Sequence, residues 1–145
     1  MHYAIVDAPL DLAALIAAVR TAASGGLVTF VGYVRETSDD GRPVSGLDYE
    51  AHDELALREL RAVGAEASTR FGPARVAIAH RVGSLELGEA AVAIAVAAAH
   101  RGVAFDACEY AIDQLKARVP IWKRERYRDG DARWRENAPA TPPAS

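Results

Sequence analysis

Apolar residues alternate most regularly between residues 91 and 98, and this stretch is the clearest strand in the sequence. Val92, Ile94 and Val96 would point to one side of the strand, and the positions between them are all alanine. Because alanine side chains are small, a helix could pack closely against that opposite side. The pattern therefore predicts a strand at the centre of a layered fold.

The other strands and helices are predicted from the same two kinds of periodicity. Apolar or alternating runs bounded by turn residues predict strands at 3–6, 27–35, 44–50, 75–82, 121–127 and 133–136. Apolar residues at helical spacing predict helices between 11 and 24, between 53 and 72, and over about 103–117. Asp11 and Asp53 are the expected N-caps of the first two helices. Gly83 and Gly88 bracket what we interpret as a turn-rich link.

Turn signals join these elements into one architecture. Pro120 ends the third helix, because a residue that precedes proline avoids helical backbone, and Asp129-Gly130 is typical of a hairpin turn. The irregular order of elements indicates the α+β class. We predict a single domain over residues 1–136, with a mixed or mainly antiparallel sheet, packed helices and a C-terminal β-hairpin. The Ala/Pro-rich segment 137–145 is expected to be disordered.

Composition and charge narrow the possible functions. A net charge of −3 over 145 residues argues against a protein that coats nucleic acid. Residues 116–135 nevertheless hold eight Lys or Arg against three Asp or Glu, which indicates a specific anionic ligand or partner. Cys108 is the one cysteine, so an intrachain disulfide and a multi-cysteine zinc site are excluded. Its position on the inner stripe of the third helix indicates a packing role.

The same inspection yields expectations about location and cofactors. The sequence contains neither a membrane-spanning apolar run nor a signal peptide pattern, so we expect a soluble, cytoplasmic protein that does not bind membranes. The histidines lack metal-ligand spacing, and we expect no metal and no cofactor. His80 alternates with apolar residues, which is more typical of a core histidine than of a ligand.

Two lysines on either side of Pro120 are the first candidates for chemistry. Lys116 would lie in the last turn of a helix, where the helix dipole alone favours a cation. Lys123 would share a strand face with Glu125, which is also compatible with an ordinary surface ion pair. The functional interpretation is that a desolvated lysine crowded by cations loses pKa, and its neutral amine can act as nucleophile or base. Because Glu125 would oppose that shift at Lys123, Lys116 is the preferred nucleophile.

Three further residues could hold an anion. His100 and Arg101 lie where a strand leads into a helix, and the free N–H groups of a helix N-terminus together with a guanidinium would suit a phosphate. A basic surface loop explains the same residues equally well. Arg35 ends an apolar strand before the polar loop 36–43, which we expect to be mobile. It could be a ligand clamp or a surface residue.

Six segments of the chain together form a more specific pattern. They are TFVGYVR (29–35), LDYEAH (47–52), AHRVGSL (79–85), GE (88–89), AHR (99–101) and DQLKARVPIWKRE (113–125). In these segments the chain resembles the large, catalytic subunits of molybdopterin synthases, and the resemblance covers about residues 26–136. The last segment is the most specific, because its two lysines, proline and aromatic residue occur at a spacing that is hard to place elsewhere. His52 departs from the pattern, which has an aromatic residue there.

The resemblance implies an activity and an assembly. Such enzymes convert cyclic pyranopterin monophosphate to molybdopterin, a sulfur transfer in molybdenum cofactor biosynthesis. The sulfur arrives as the C-terminal thiocarboxylate of a small ubiquitin-like subunit, and the complex is a heterotetramer around a dimer of large subunits. A protein without a usable cysteine would need sulfur in such an activated form.

The resemblance also implies roles for individual residues. Lys116 corresponds to the catalytic lysine and Lys123 to a second essential lysine. The implied substrate contacts are Tyr33, Val34, Arg35, His100, Arg101, Lys116, Lys123, Arg124 and Glu125. His100 and Arg101 would be donated across the dimer.

Two other function classes remain open from the residues. The first is a non-catalytic module that binds an anion or an acidic partner tail through the basic hairpin. The second is nucleic-acid binding, in which Trp122, Tyr127 and Trp134 would stack on bases. The acidic net charge argues against the second class.

Overall fold

The computed structural model describes residues 2–136, which form eight strands and three helices. In chain order they are β1 (His2–Val6), α1 (Leu12–Val19), β2 (Gly26–Tyr33), β3 (Val44–Ala51), α2 (Asp53–Arg70), β4 (Ala74–Arg81), β5 (Gly83–Glu86), β6 (Ala90–Ala98), α3 (Arg101–Arg118), β7 (Ile121–Tyr127) and β8 (Ala132–Glu136). The predicted disordered tail, 137–145, lies outside the described residues, as does residue 1.

The described strands form two four-stranded sheets. The first has the order β1-β4-β6-β2 and is antiparallel except between β1 and β4; we call it the alanine-rich sheet. The second has the order β5-β3-β7-β8 and is antiparallel throughout; we call it the charged sheet. The predicted α+β class, with mainly antiparallel strands and a C-terminal hairpin, is confirmed. The strands divide into two sheets where the sequence had suggested one.

Helices cover both faces of the alanine-rich sheet. Ala95 and the neighbouring alanines of β6 and β4 are buried against Leu15 and Val19 of α1. On the opposite face, Ile94 is fully buried in the main core, to which α2 and α3 also contribute. The small side chains on one face and the branched ones on the other thus decide which helix packs where.

The N-termini of the first two helices show different caps. The Asp11 carboxylate accepts a hydrogen bond from the Ala14 backbone N–H at 3.1 Å, as predicted. The prediction for α2 was wrong by one residue. His52 is the cap, and its Nδ1 accepts from the Leu55 N–H at 3.3 Å. Asp53 is instead the first residue of the helix, where its negative charge interacts favourably with the positive end of the helix dipole.

The segment between Gly83 and Gly88 contains a strand that the sequence did not reveal. β5 pairs antiparallel with β3, and its Leu85 is fully buried. The two glycines have φ angles of +96° and +82°, a region in which other residues are strained. A four-residue strand with one buried apolar side chain is too short to show a period of two.

The third helix contains Lys116, the first of the two candidate lysines. α3 begins at Arg101, two residues before the predicted start, and its C-cap is Val119, immediately before Pro120. Cys108 is buried on its inner side, and burial raises the pKa of the thiol to about 11, so the packing role is confirmed. Across residues 2–136, none of the helices has the length and apolar character needed to span a bilayer.

Candidate active site

A cleft of about 430 Å³ lies where the charged sheet meets the end of α3 and the loop after β2. Both lysines of the sequence, Lys116 and Lys123, line it. Its lining residues are Phe30, Tyr33, Arg35, Thr37, Ser38, Asp39, Val44, Leu47, Tyr49, Lys116, Lys123, Glu125 and Arg135. Basic side chains therefore converge from three separate parts of the chain.

Lys116 has the most unusual environment of these side chains. It belongs to the last turn of α3, is partly buried and lines the cleft. Burial, followed by the charges of Lys123 and Arg35, lowers its pKa from 10.5 to about 8, against the opposing effect of Asp39. A measurable fraction of the amine is thus neutral near pH 7 to 8, as expected of a nucleophile or general base.

The β3-β7-β8 register places three functional groups side by side. Tyr49, Lys123 and Arg135 are direct neighbours across the strands, and all three line the cleft. Glu125, two residues along β7, is 4% exposed and pairs with Arg135, whose Nε lies 3.4 Å from the Glu125 Oε1. Glu125 therefore pairs with Arg135, and the Lys123 charge contributes to the lowered pKa of Lys116.

The loop after β2 closes one side of the cleft. Arg35 donates from Nη2 to the Asp39 Oδ1 at 2.5 Å, and both residues line the cleft. At the base of the loop, Arg42 donates to Asp129 at 2.7 Å and to Asp131 at 3.0 Å in the β7–β8 turn. Ion pairs thus fasten the loop, expected to be mobile, to the hairpin.

His80 fills the core behind the cleft wall. It is 1% exposed, and its Nδ1 lies 2.8 Å from the Arg81 carbonyl oxygen; since that oxygen can only accept, Nδ1 carries the proton. The ring meets that of Tyr49 edge to face, with centroids 5.1 Å apart. Burial, with a smaller contribution from the Lys116 charge, lowers the pKa of His80 to about 4, although the hydrogen bond to the Arg81 carbonyl opposes this shift. The prediction of a core histidine is confirmed, and the side chain is neutral at pH 7.

The predicted anion-binding pair lies away from the cleft of its own chain. His100 and Arg101 are at the N-terminus of α3, whereas Lys116 is in its last turn. At 1.5 Å per residue the separation along the axis is roughly 22 Å. The Arg101 backbone packs beside Gly26 at the start of β2. A single chain therefore does not bring this pair to the lysines, so its predicted role requires a second chain.

Two other predicted contact residues also point elsewhere. Val34 is 3% exposed and belongs to the main core. Arg124 alternates with Lys123 and Glu125 on β7, so its side chain reaches the opposite face of the charged sheet. There its Nε and Nη2 donate to Asp48 at 2.8 and 2.6 Å. Neither residue lines the cleft, and a direct contact of either with substrate stays a prediction.

Several lining residues were not singled out from the sequence. Asp39 had no distinguishing signal, because the fold alone brings it to the lysines, whereas Tyr49 lies in the segment LDYEAH (47–52) but was given no role. Arg135 could have been found by continuing the hairpin register across the Asp129-Gly130 turn, which sets Arg135 opposite Lys123. Within residues 2–136 no group of three or more His, Cys, Asp or Glu side chains is placed to hold a metal ion.

Comparison with known proteins gives a consistent result. Residues 5–118 match the family model described as MoaE protein. A protein of Oryza sativa subsp. indica named molybdopterin synthase catalytic subunit is 46% identical over 128 residues, which are 88% of this chain and 65% of the rice protein. A Bacillus subtilis protein of the same name is 42% identical over 130 residues, 90% of this chain and 82% of its relative.

A solved structure extends the likeness to three dimensions. The X-ray crystal structure of molybdopterin synthase from Staphylococcus aureus matches with a TM-score of 0.85 and 35% identity, over 90% of this chain and 94% of that one. This chain spans slightly less than two thirds of the rice relative's length, whereas the S. aureus chain is matched almost entirely. The chain belongs to the MoaE protein family.

Proposed function

We propose that this protein is the catalytic subunit of a molybdopterin synthase, which converts cyclic pyranopterin monophosphate to molybdopterin. The sulfur would come from the C-terminal thiocarboxylate of a small ubiquitin-like subunit. The observation that carries the proposal is Lys116: a partly buried lysine with a pKa of about 8 in a cleft lined by other cations. The names of the rice and B. subtilis relatives support it.

In the proposed reaction the thiocarboxylate sulfur forms a carbon–sulfur bond with the pterin side chain as an oxygen substituent leaves that carbon. Water then cleaves the resulting thioester, so that the sulfur stays on the pterin and the tail becomes a carboxylate; Lys116 assists as nucleophile or as acid and base. A pKa of about 8 suits either role, because both protonation states are populated near neutral pH. Lys123 has two effects. It helps to lower the pKa of Lys116, and its own ammonium can stabilise negative charge on the reacting groups. Glu125 keeps the neighbouring Arg135 in place.

The shape and charge of the cleft suit the proposed reactants. A volume of about 430 Å³ can accept a small ring system together with the last residues of a peptide tail. Arg35 at the rim could pair with a phosphate or carboxylate. The word "catalytic subunit" in the relatives' names also implies a further subunit, in agreement with a tail supplied by a partner.

We further propose that two copies of the chain pair through β2. This strand ends the alanine-rich sheet, so one of its edges has no neighbouring strand within residues 2–136. Large apolar side chains are exposed on β2 and on nearby α3, with Tyr33 at 61% and Phe105 at 59%. Exposed apolar groups beside an unpaired strand edge are typical of an interface.

Such pairing would explain the position of His100 and Arg101. In a twofold-related antiparallel pair, the start of one β2 lies beside the end of the other. Arg101 packs beside Gly26 at the start of β2, and Tyr33 at its end lines the cleft. The second copy would therefore bring its His100 and Arg101 toward the cleft of the first.

Replacement of Lys116 tests the proposal. Lys116→Ala should lower the rate of product formation by at least about a thousandfold, because it removes the group that carries the chemistry. The assay supplies thiocarboxylated small subunit and the pterin precursor and measures the dithiolene product. Arg128→Ala, which removes an exposed cation outside the cleft, is the control and should retain activity.

The outcomes separate the proposal from the binding-module alternative. Full activity of a folded Lys116→Ala protein would remove the proposed role of that residue. Binding of both reactants by the unaltered protein without dithiolene product, under conditions in which a known synthase turns over, would favour a non-catalytic module.

A further inference from the structure

One carboxylate lies among the cations of the cleft and has no role in the reaction proposed above. Asp39 accepts the 2.5 Å hydrogen bond from Arg35, and that bond is the largest cause of its lowered pKa. The charges of Lys123 and Arg135 lower the pKa further, and Asp39 in turn raises the pKa of Lys116. A single side chain is therefore in electrostatic contact with four basic residues of the cleft.

The pair of Asp39 with Arg35 is placed where it can be exchanged. The two side chains are 77% and 67% exposed, and an ion pair exposed to this extent contributes little to stability because water screens it. The loop itself is fastened separately, because the Ser38 N–H donates to the Arg42 carbonyl at 2.9 Å and Arg42 holds the hairpin turn. Asp39 can therefore leave Arg35 without release of the loop.

Glu125, the other acidic residue that lines the cleft, differs in each of these respects. Glu125 is 4% exposed and is paired with Arg135. Removing it would take away the nearer of the two carboxylates that pair with the partly buried Arg135 guanidinium. Asp39 is thus the acidic side chain of the cleft that a ligand can displace at low cost.

Building on the function proposed above, we propose that Asp39 is a specificity-determining residue that competes with anionic ligands for Arg35. The competing ligand carries a phosphate or a terminal carboxylate, either of which can take two hydrogen bonds from a guanidinium. A ligand that cannot displace the Asp39 carboxylate also meets its negative charge. The residue therefore weakens the binding of small anions to the cleft.

Binding measurements on four variants of the full chain test this. Inorganic phosphate and the peptide acetyl-Gly-Gly serve as probes, and calorimetry gives their dissociation constants. Asp39→Asn should tighten binding of at least one probe by about three- to tenfold, the range expected when a weak ion pair and a like-charge repulsion are both removed. Glu36→Gln changes the same charge in the same loop outside the cleft and should have little effect.

Arg35→Gln provides the decisive control. If Asp39 acts by competing for Arg35, the Asp39→Asn change should have much less effect when combined with Arg35→Gln. The effect should also shrink as salt is added, because exposed charges are screened. Tightening confined to phosphate identifies a phosphate ligand, and tightening confined to the peptide identifies a carboxylate ligand.

Three results would overturn the inference: unchanged or weaker binding by Asp39→Asn, equal tightening by Glu36→Gln, or equal tightening in the Arg35→Gln background. Absence of measurable binding of either probe to Asp39→Asn would count equally against it, since the variant leaves Arg35 available. These measurements need neither the small subunit nor the pterin, so they are independent of the outcome of the sulfur-transfer assay.

Discussion

The two sheets of this protein differ in how their faces are covered and in the side chains that they carry. The alanine-rich sheet is covered by helices on both faces, and its central strands are buried along nearly their full length. Within residues 2–136 the charged sheet packs against the main core through one face, and its strands β7 and β8 carry Lys123 and Arg135, two of the four basic side chains of the cleft. The first derives its stability from packing of apolar groups, whereas the second holds like charges close together at some expense of stability.

The largest expected change in the free energy of unfolding comes from a substitution that creates a cavity in the alanine-rich sheet. Ile94 belongs to β6, and its side chain is fully buried in the main core. Ile94→Ala should lower the free energy of unfolding by about 3 kcal/mol, because the removed methyl groups leave a space that a packed core cannot close. Urea unfolding followed by circular dichroism measures the change.

The matching variant in the charged sheet is Trp122→Ala. It removes a larger side chain, but Trp122 is 40% exposed on the outer face of β7. We expect a loss below about 1.5 kcal/mol, since little buried volume is vacated. If Trp122→Ala costs as much as Ile94→Ala, the two sheets do not differ in the way described.

The same difference explains how much of the fold could be predicted. The buried strands of the alanine-rich sheet are long enough for their alternation to be visible, and α1 packs on the alanine face of β6. β5 was missed because four residues with one buried side chain show no period. His52 was missed as a cap because Asp53, the next residue, is the more common type at that position.

The cleft could be predicted only in part. Lys116, Lys123 and Arg35 occur in local patterns that suggested anion chemistry, and all three line the cleft. The pKa of Lys116 is lowered mainly by burial. The sequence showed the density of nearby positive charge but did not show that this side chain is buried. Asp39 is added by the fold of a loop, and no periodicity identifies such a residue.

The next prediction concerns the free energy of unfolding that is lost because Lys116 is buried in its charged form. Lys116 has a folded pKa of about 8 against 10.5 when solvated, so burial disfavours its charged form. Below pH 8 the residue is charged in both folded and unfolded states, and the penalty is fully present. Between pH 8 and 10.5 the folded state releases its proton first, so the penalty disappears as the pH rises.

Replacement of this lysine by methionine should therefore stabilise the protein while abolishing its activity. We expect Lys116→Met to raise the free energy of unfolding at pH 7 by about 1–2 kcal/mol. This is less than the full pKa shift would give, because the substitution also removes a favourable interaction of the lysine cation with the C-terminal end of the α3 dipole. The gain should fade as the pH rises from 8 to 10.5. Arg58→Met, an exposed change on α2, controls for the general effect of methionine. A destabilised Lys116→Met protein, or a gain that is independent of pH, would contradict the proposed cost.

The smallest expected effect lies on the outer face of the charged sheet, where opposite charges are paired. Asp48 is 8% exposed and accepts hydrogen bonds from Ser84 at 2.6 Å and from Arg124, while the Arg126 Nε lies 3.3 Å away. Burial raises the pKa of Asp48, but the hydrogen bonds from Ser84 and Arg124 together with the charges of Arg126 and Arg124 outweigh it, and the net pKa is lowered. A lowered carboxyl pKa stabilises the folded state above the ordinary value of 3.8 and ceases to do so as the pH falls through the folded value.

Asp48→Asn should therefore lower the free energy of unfolding by about 1 kcal/mol at pH 7, a modest value because Arg124 is partly exposed to solvent. The difference from the unaltered protein should shrink as the pH falls below 3.8 and through the lowered pKa of Asp48. Urea unfolding from pH 7 downward into this acid range measures both quantities, and Asp113→Asn, an exposed change on α3, is the control. A difference that does not shrink in the acid range would mean that Asp48 acts through shape rather than charge. The outer face of the charged sheet would then be stabilised by packing, as the alanine-rich sheet is, and the contrast between the sheets would be confined to the cleft.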